Sequence, residues 1–371
     1  MSIPLVDLAS QQAEIADEVR EGLDRVFERT AFVGGEDVTR FEAEYAAFSG
    51  AQHCVGVANG TDALELALRA SGVEAGQEVV LPANTFIATA EAVSRTGATP
   101  VLVDVDEEHL LIDPGAATAA LGPRTGAVVP VHLFGQVAPV DLLLPATGAA
   151  GVPVVEDAAQ SQGATRHGRG AGTLGAAAGT SFYPGKNLGA AGDAGAVTTD
   201  DADLAQRVRV LGAHGSPTKY VHDVIGMNSR LDTVQAVVLR AKLARLEKWN
   251  QLRRDAAERY TAMLADVDGV RVPTTMLGNR DVWHLYVVRL EERDRVLQEL
   301  IAAGVGAGIH YPTPVHLTGA YAHLGLRAGT FPVTEKAAGE ILSLPMFPHL
   351  STEQQERVVD ALSTAVRRPR R

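Results

Sequence analysis

One lysine, Lys186, stands in SFYPGKNLGAAGDAGAV (Ser181 to Val197), a Gly-rich turn between two apolar runs. Taking an ammonium out of water without a partner is costly, so a lysine in such a place needs a reason. A Schiff base removes that charge. Upstream, VPVVEDAAQSQGA ends an apolar strand with Glu156 and Asp157. A strand-end carboxylate and a turn lysine are the two groups a pyridoxal phosphate site needs. The acid keeps the pyridine nitrogen protonated, and the amine captures the aldehyde.

An anion site would complete that set. In CVGVANGTDA (Cys54 to Ala63) a strand runs through a small-residue turn into a helix expected to begin near Asp62. Amides at a helix start have no intrahelical acceptor and present the positive end of the dipole, which suits a phosphate dianion. Gly60 lets an anion approach the backbone, and Thr61 adds a hydroxyl. Capping of the helix by Asn59 or Thr61 accounts for the same residues equally well. The eleven histidines are scattered, without HExxH or clustered cysteines, so no metal centre is expected. GDAGAV lacks the G-x-G-x-x-G spacing of a dinucleotide loop.

These groups need a scaffold of ordinary globular composition, and 46% hydrophobic with 21% charged residues supplies one. The 371 residues suit two domains, because single cores stop growing at roughly 250–300 residues. The net charge of −12 disfavours a nucleic-acid binder; the basic tail RRPRR, Arg367 to Arg371, reads as solvated. The single cysteine, Cys54, excludes an internal disulfide and lies in an apolar run as a buried thiol would. Neither a signal-peptide pattern nor a membrane-spanning stretch is visible, so a cytoplasmic protein is expected.

Apolar residues Ile15, Val19, Leu23, Val26 and Phe27 predict an amphipathic helix over 13–29 packed on the main body. Strands are expected at 54–58, 78–82, 100–105, 126–133, 152–156, 179–183 and 195–199, with helices at 62–71, 86–96 and 115–121. Near-continuous apolar strands alternating with helices predict an α/β fold with a mostly parallel sheet covered on both faces. Ala/Gly-rich 145–151 and 170–179 read as loops. Long helical patterns run from Thr233 to Leu264, with a domain boundary inside them. Beyond it a strand over 282–290 and a helix over 293–303 begin a smaller α/β layer.

Several motifs in one order resemble the DegT/DnrJ/EryC1/StrS sugar aminotransferases, within the aspartate-aminotransferase-like (type I) fold. They are VGVANGTDALELAL, PANTFIATAEAV, VPVHLFGQ, VEDAAQSQGA, SFYPGKNLGAAGDAG, GMNSRLDTVQA, VWHLYVVRL, IHYPTPVHL and LSLPMFP. The resemblance implies a large pyridoxal-phosphate domain (1–245) built on a seven-stranded sheet and a smaller C-terminal domain (246–371). Lys186 would hold the cofactor and shuttle the proton, and Asp157 would pair with the pyridine nitrogen. Gly60, Thr61 and Ser181 would contact the phosphate, Gln160 the ring hydroxyl, and Phe86 would stack on the ring. Asn228 would reach the phosphate across a homodimer interface, with Arg230 beside it. His310, Tyr311, Tyr183, Lys219 and Tyr220 would face the sugar nucleotide. Ala194 departs from the family's frequent glycine; relatives with histidine in place of Lys186 are dehydratases. Among subgroups the motifs most resemble the 3-aminotransferases of dTDP-3-keto-6-deoxyhexoses, with L-glutamate as donor. UDP-linked 3-keto sugars come next, then 4-keto sugars or a keto-cyclitol. A non-catalytic, cofactor-binding regulator is the alternative of another class.

Overall fold

A computed structural model describes residues 2–367; the expectation for the basic tail falls on residues 368–371, outside the described ones. Helix α1 (Leu8–Arg29) starts earlier than its apolar spacing predicts, because Asp7 accepts hydrogen bonds from the Ala9 and Ser10 amides at 3.0 and 3.1 Å. Its buried stripe is Ile15, Val19 and Val26, whereas Phe27 of the same pattern is 62% exposed. No element is expected from the sequence over α2 (Glu36–Ser49), because its many charges obscure the Phe41, Tyr45 and Ala46 stripe that it buries.

The chain then alternates. Strand β1 (His53–Val57) leads into α3 (Gly60–Ala70), β2 (Glu78–Pro82) into α4 (Ile87–Arg95), and β3 (Thr99–Val103) into α5 (Pro114–Ala119). Strand β4 (Thr125–Val128) is shorter than expected, since Pro130 has no N–H to donate. Residues 145–150, expected as a loop, are the end of α6 (Val140–Ala150). Burial of Val140, Leu143 and Thr147 holds that helix despite Pro145. Next come β5 (Val155–Asp157), the hairpin of β6 (Thr165–Arg166) and β7 (Arg169–Gly170), β8 (Ala177–Ser181) and β9 (Gly195–Thr199).

Strands β1, β9, β8 and β5 form one sheet in that order, and β3, β2 and β4 another. All pairs are parallel except the two made by β9. The expected single seven-stranded sheet is therefore resolved as four strands plus three. Two isolated parallel bridges, Val128 to Val154 and Val131 to Asp157, connect them. The carboxyl ends of β5 and β8 deliver Asp157 and Ser181 to the same edge as the start of α3, where open α/β sheets bind ligands.

Helices α7 (Ala202–Gly212) and α8 (Thr233–Leu264) follow. The 32-residue α8 serves three cores. Ala236, Leu239 and Leu246 pack with Phe41 and Phe182; Val238 and Trp249 pack with Ile15 of α1. Ala256, Tyr260 and Leu264 pack in the C-terminal layer. That layer holds β11 (Tyr286–Arg289), α9 (Arg293–Ala302), α10 (Pro332–Glu340), β12 (Ile341–Leu344) and α11 (Thr352–Arg367), while β10 (Asn279–Arg280) pairs back with β6. The strand expected from Val282 begins only at Tyr286, because Trp283 turns the backbone to a φ of 47°.

The first residues close the layer. The Ile3 amide donates to the Gly304 carbonyl at 2.8 Å and the Gly306 amide to the Ile3 carbonyl at 2.7 Å, while the Met346 amide reaches the Leu5 carbonyl at 3.1 Å. Among the described residues no helix is long and apolar enough to cross a membrane.

Candidate active site

At the start of α3 the Asn59 side chain accepts from the Asp62 amide at 2.8 Å, so it is the helix cap. That leaves the Gly60 and Thr61 amides at the positive end of the helix without an intrahelical acceptor. Ser181, at the end of β8, lies against this turn. A Cβ built on Gly60 would come within 2.5 Å of the Ser181 Cβ and 3.0 Å of its Cα, so only glycine allows the two backbones this close. Two amides and a hydroxyl thus converge as an anion cradle.

Asp157 is buried at the end of β5. Its Oδ2 accepts from the Thr89 hydroxyl at 2.7 Å and its Oδ1 from the Ala159 amide at 3.1 Å. Burial nevertheless dominates and raises its pKa, against those hydrogen bonds and the field of Lys186. Lys186 is half-buried and pulled down to about 8 by desolvation, with Asp157 opposing the shift. Acid and amine therefore each move toward neutrality and remain coupled.

The adjacent carboxylate does different work. Alternation along β5 turns Glu156 to the other face, where it is fully buried. It accepts from the Gly172, Leu174 and Gly175 amides at 2.8–2.9 Å and from His132 Nε2 at 2.7 Å. The Ala138 amide donates to His132 Nδ1 at 3.0 Å, so that imidazole is neutral and its Nε2 carries the hydrogen. Although burial raises the Glu156 pKa, these donors bring it below the usual value.

A cleft of about 540 Å³ is lined by Gly60, Thr61, Phe86, Asp157, Gln160, Ser181, Tyr183, Lys186, His310 and Tyr311, ten of the fourteen residues expected from the sequence. Gln160 takes the Phe134 amide on Oε1 at 2.7 Å and donates to the Tyr311 hydroxyl at 3.1 Å. The Phe86 ring is 51% exposed and lies 5.1 Å from the Tyr311 ring. Burial, then the field of Asp157, raises the Tyr311 phenol, so it stays protonated. Burial, then the charge of Lys186, lowers the His310 pKa; its Nδ1 lies 2.8 Å from the Ser343 hydroxyl.

Four expected residues do not line this cleft. Lys219, Tyr220, Asn228 and Arg230 lie on an exposed stretch, with the Lys219 ammonium 5.0 Å from the Tyr220 ring centre. Conversely, Asn59, Thr89, Asp193, His284 and the pair Leu5 and Val6 line the cleft without having been singled out for it. Thr89 was legible as the residue one helical turn after Thr85 in NTFIATAEAV; no local pattern marks His284 or Leu5.

Residues 13–363 match the model of the DegT/DnrJ/EryC1/StrS aminotransferase family. The chain is 48% identical over 362 residues to the erythromycin biosynthesis sensory transduction protein EryC1 of Saccharopolyspora erythraea, covering 98% of this chain and 99% of the relative. It is 45% identical to the dTDP-3-amino-3,4,6-trideoxy-alpha-D-glucose transaminase of Streptomyces venezuelae, covering 97% and 95%. The solved structure of S. venezuelae DesV in complex with a ketimine intermediate superposes with a TM-score of 0.97 at 44% identity, covering all of both chains. A match of this length and identity, on a cleft that joins a lysine, a buried acid and an anion cradle, shows that the chain belongs to the DegT/DnrJ/EryC1/StrS aminotransferase family.

Proposed function

We propose that the chain is a pyridoxal-phosphate-dependent aminotransferase that moves the amino group of L-glutamate onto the C3 keto carbon of a dTDP-linked keto-6-deoxyhexose. The observation that carries this reading is the convergence of Lys186, Asp157 and the α3 anion cradle on one cleft. Those groups fit the cofactor. The Gly60 and Thr61 amides and the Ser181 hydroxyl suit its phosphate, and Gly60 leaves the room a Cβ would fill. Asp157 suits its pyridine nitrogen, and Phe86 offers an exposed ring face.

When bound, pyridoxal phosphate supplies an aldehyde that takes the amino group and a ring that accepts the electron pair left at Cα. Lys186 would hold that aldehyde carbon through Nζ. With its pKa near 8, a useful fraction of free Lys186 is neutral at working pH. Released, the same amine removes the donor's Cα proton, and in the return half it delivers a proton to the sugar's C3. Asp157 would sustain positive charge on the ring nitrogen, and Gln160 would offer a side-chain N–H to the cofactor. The sugar identity follows the transaminase relatives, which act on dTDP-linked 3-amino sugars by name.

The site reads as incomplete in one copy. Among the described residues Lys186 is the only Lys or Arg lining the cleft, whereas the substrate brings a diphosphate and the donor two carboxylates. A homodimer that brings Asn228, Arg230, Lys219 and Tyr220 to the partner's cleft would supply the missing donors. The same reading joins the two sheets into one of seven strands, a reading supported by the bridges between β4 and β5. It divides the chain near residue 245, with the apolar cluster of Tyr260, Tyr286 and Leu362 as the second core. A cytoplasmic setting, where nucleotide sugars and glutamate are available, belongs to it as well.

The test is the visible spectrum of purified protein with pyridoxal phosphate, then with L-glutamate, beside Lys186→Ala. A lysine-bound cofactor band that glutamate converts to the amine form, and that the variant lacks, is expected. Absence of any such band refutes the reading. Keto-sugar nucleotides supplied one at a time, with products read by mass, then decide between dTDP- and UDP-linked acceptors.

A further inference from the structure

The turn that carries Lys186 contains Gly185, Gly189 and Gly192, so it is costly to order. Its own backbone closes it where the Lys186 amide donates to the Tyr183 carbonyl at 2.8 Å and the Ala190 amide to the Phe182 carbonyl at 2.7 Å. Helix α8 grips it at three further places. Gln235 Oε1 accepts from the Ala191 amide at 2.8 Å, Lys242 Nζ donates to the Gly189 carbonyl at 2.7 Å, and Asn250 Oδ1 accepts from the Asn187 side-chain nitrogen at 3.0 Å. Residues seven and eight apart share a helix face, so the three form a row about 22 Å long, matched in reverse order to alternate residues of the turn.

Packing explains Lys242 least well of the three. It is 7% exposed, and among the described residues its ammonium makes no ion pair and a single hydrogen bond, to the Gly189 carbonyl. Burial pulls its pKa down to about 8, with no carboxylate opposing the shift. A methionine or leucine would fill the same place without taking a charge out of water. What the ammonium contributes is therefore its hold on Gly189. That hold reaches the lysine, because a Cβ on Gly189 would lie 2.3 Å from the Pro184 carbonyl oxygen: the chain leaving Lys186 rests directly on the chain entering it. Fixing Gly189 fixes Pro184, and Lys186 lies between them.

We propose that Lys242 is a positioning residue, which with Gln235 and Asn250 clamps the 182–191 turn to α8 and so presents the Lys186 amine from a fixed backbone. The use of this clamp rests on the reading of Lys186 as the cofactor-holding lysine, but the clamp itself can be measured without cofactor.

Hydrogen exchange of the cofactor-free full chain, read by peptide mass spectrometry, makes that measurement. In the wild type, peptides over 182–191 should be protected about as long as those of α8. Lys242→Met, which keeps the bulk and drops the donor, should speed exchange over 182–191 about tenfold and leave α8 and β8 within about twofold. With pyridoxal phosphate added, the lysine-bound cofactor band should form about tenfold more slowly in this variant. Affinity for pyridoxamine phosphate, which has no aldehyde for the lysine to hold, should stay within about twofold. Lys242→Arg, which can again donate an N–H, should return most of both losses. A residue that only supported the fold would loosen α8 together with the turn and weaken pyridoxamine phosphate binding as well; that outcome overturns the proposal. Rapid exchange over 182–191 in the wild type, or a Lys242→Met chain that matches the wild type in exchange and band formation, overturns it too. A wild type that forms no cofactor band would instead sink the cofactor reading, and the exchange result would still decide the clamp.

Discussion

Replacing Gly60 with alanine tests the anion cradle with one methyl group. The new Cβ would sit 2.5 Å from the Ser181 Cβ, 3.0 Å from its Cα and 3.1 Å from its Oγ. Carbon atoms in ordinary contact lie about 3.5–4.0 Å apart, so α3 and the end of β8 must separate by about 1 Å. Because one of the struck atoms is backbone, a rotamer change in Ser181 cannot absorb the displacement. Moving the first turn of α3 that far from Ser181 stretches one or two of the phosphate hydrogen bonds beyond useful length. Hydrogen bonds to a charged group are worth about 1.5–3 kcal/mol each, so about 2–4 kcal/mol of affinity should go. That corresponds to pyridoxal phosphate binding about 30- to 1,000-fold more weakly. Titration of cofactor-free protein, followed by absorbance, measures the constant directly. Pyridoxal, which has no phosphate, is the control and should bind wild type and variant alike. A Gly60→Ala chain that binds pyridoxal phosphate within about twofold of wild type, or that loses pyridoxal affinity equally, would refute the reasoning.

Three further outcomes are expected. Lys186 has a pKa near 8 when folded and 10.5 as its ordinary value, so the unfolded chain holds more protons between these limits and stability rises with pH across that window. Lys186→Met should therefore stabilise the cofactor-free protein at neutral pH by about 1–3 kcal/mol, a gain that fades toward pH 10.5 in denaturant titrations; a pH-independent gain would contradict it. Glu156→Gln removes the charge that gathers three amides and His132, and should cost about 2–4 kcal/mol in the same assay; an unchanged midpoint would show that the carboxylate is replaceable. Mixing Lys186→Ala with Asn228→Ala, each inactive alone, should restore about one quarter of wild-type activity through half of the sites in mixed dimers; no recovery would mean that Asn228 serves its own chain or no site.

Sequence order made the sheet strands legible because buried parallel strands read as apolar runs between turns, and β9 matches its expected limits, 195–199. The proposed catalytic pair was legible for another reason: Asp157 and Lys186 are charges where a local environment cannot keep them. Pattern failed where tertiary contacts decide. Burial of Leu143 and Thr147 turns Ala/Gly-rich residues into the end of α6, and a positive φ at Trp283 cuts a strand short. His284 joins the site only because a distant element folds back on it. Lys219, Tyr220, Asn228 and Arg230 are exposed because they lie on the connection between α7 and α8, outside the cleft of their own chain.

The hydrogen bonds between Ile3 and residues 304–306, with Leu5 and Val6 in the cleft wall, have a temporal consequence for synthesis. Translation proceeds at about 5–20 residues per second, so the N-terminal strap waits about 15–60 s for its partners to leave the ribosome. Contacts of such long sequence separation form late and slow folding. During that interval α1 and the first strands have no floor beneath the cleft, and the apolar Ile3, Leu5 and Val6 are free to engage other surfaces. The cleft is therefore among the last parts of the molecule to be finished, and a nascent chain should not retain cofactor until its C-terminal layer has emerged.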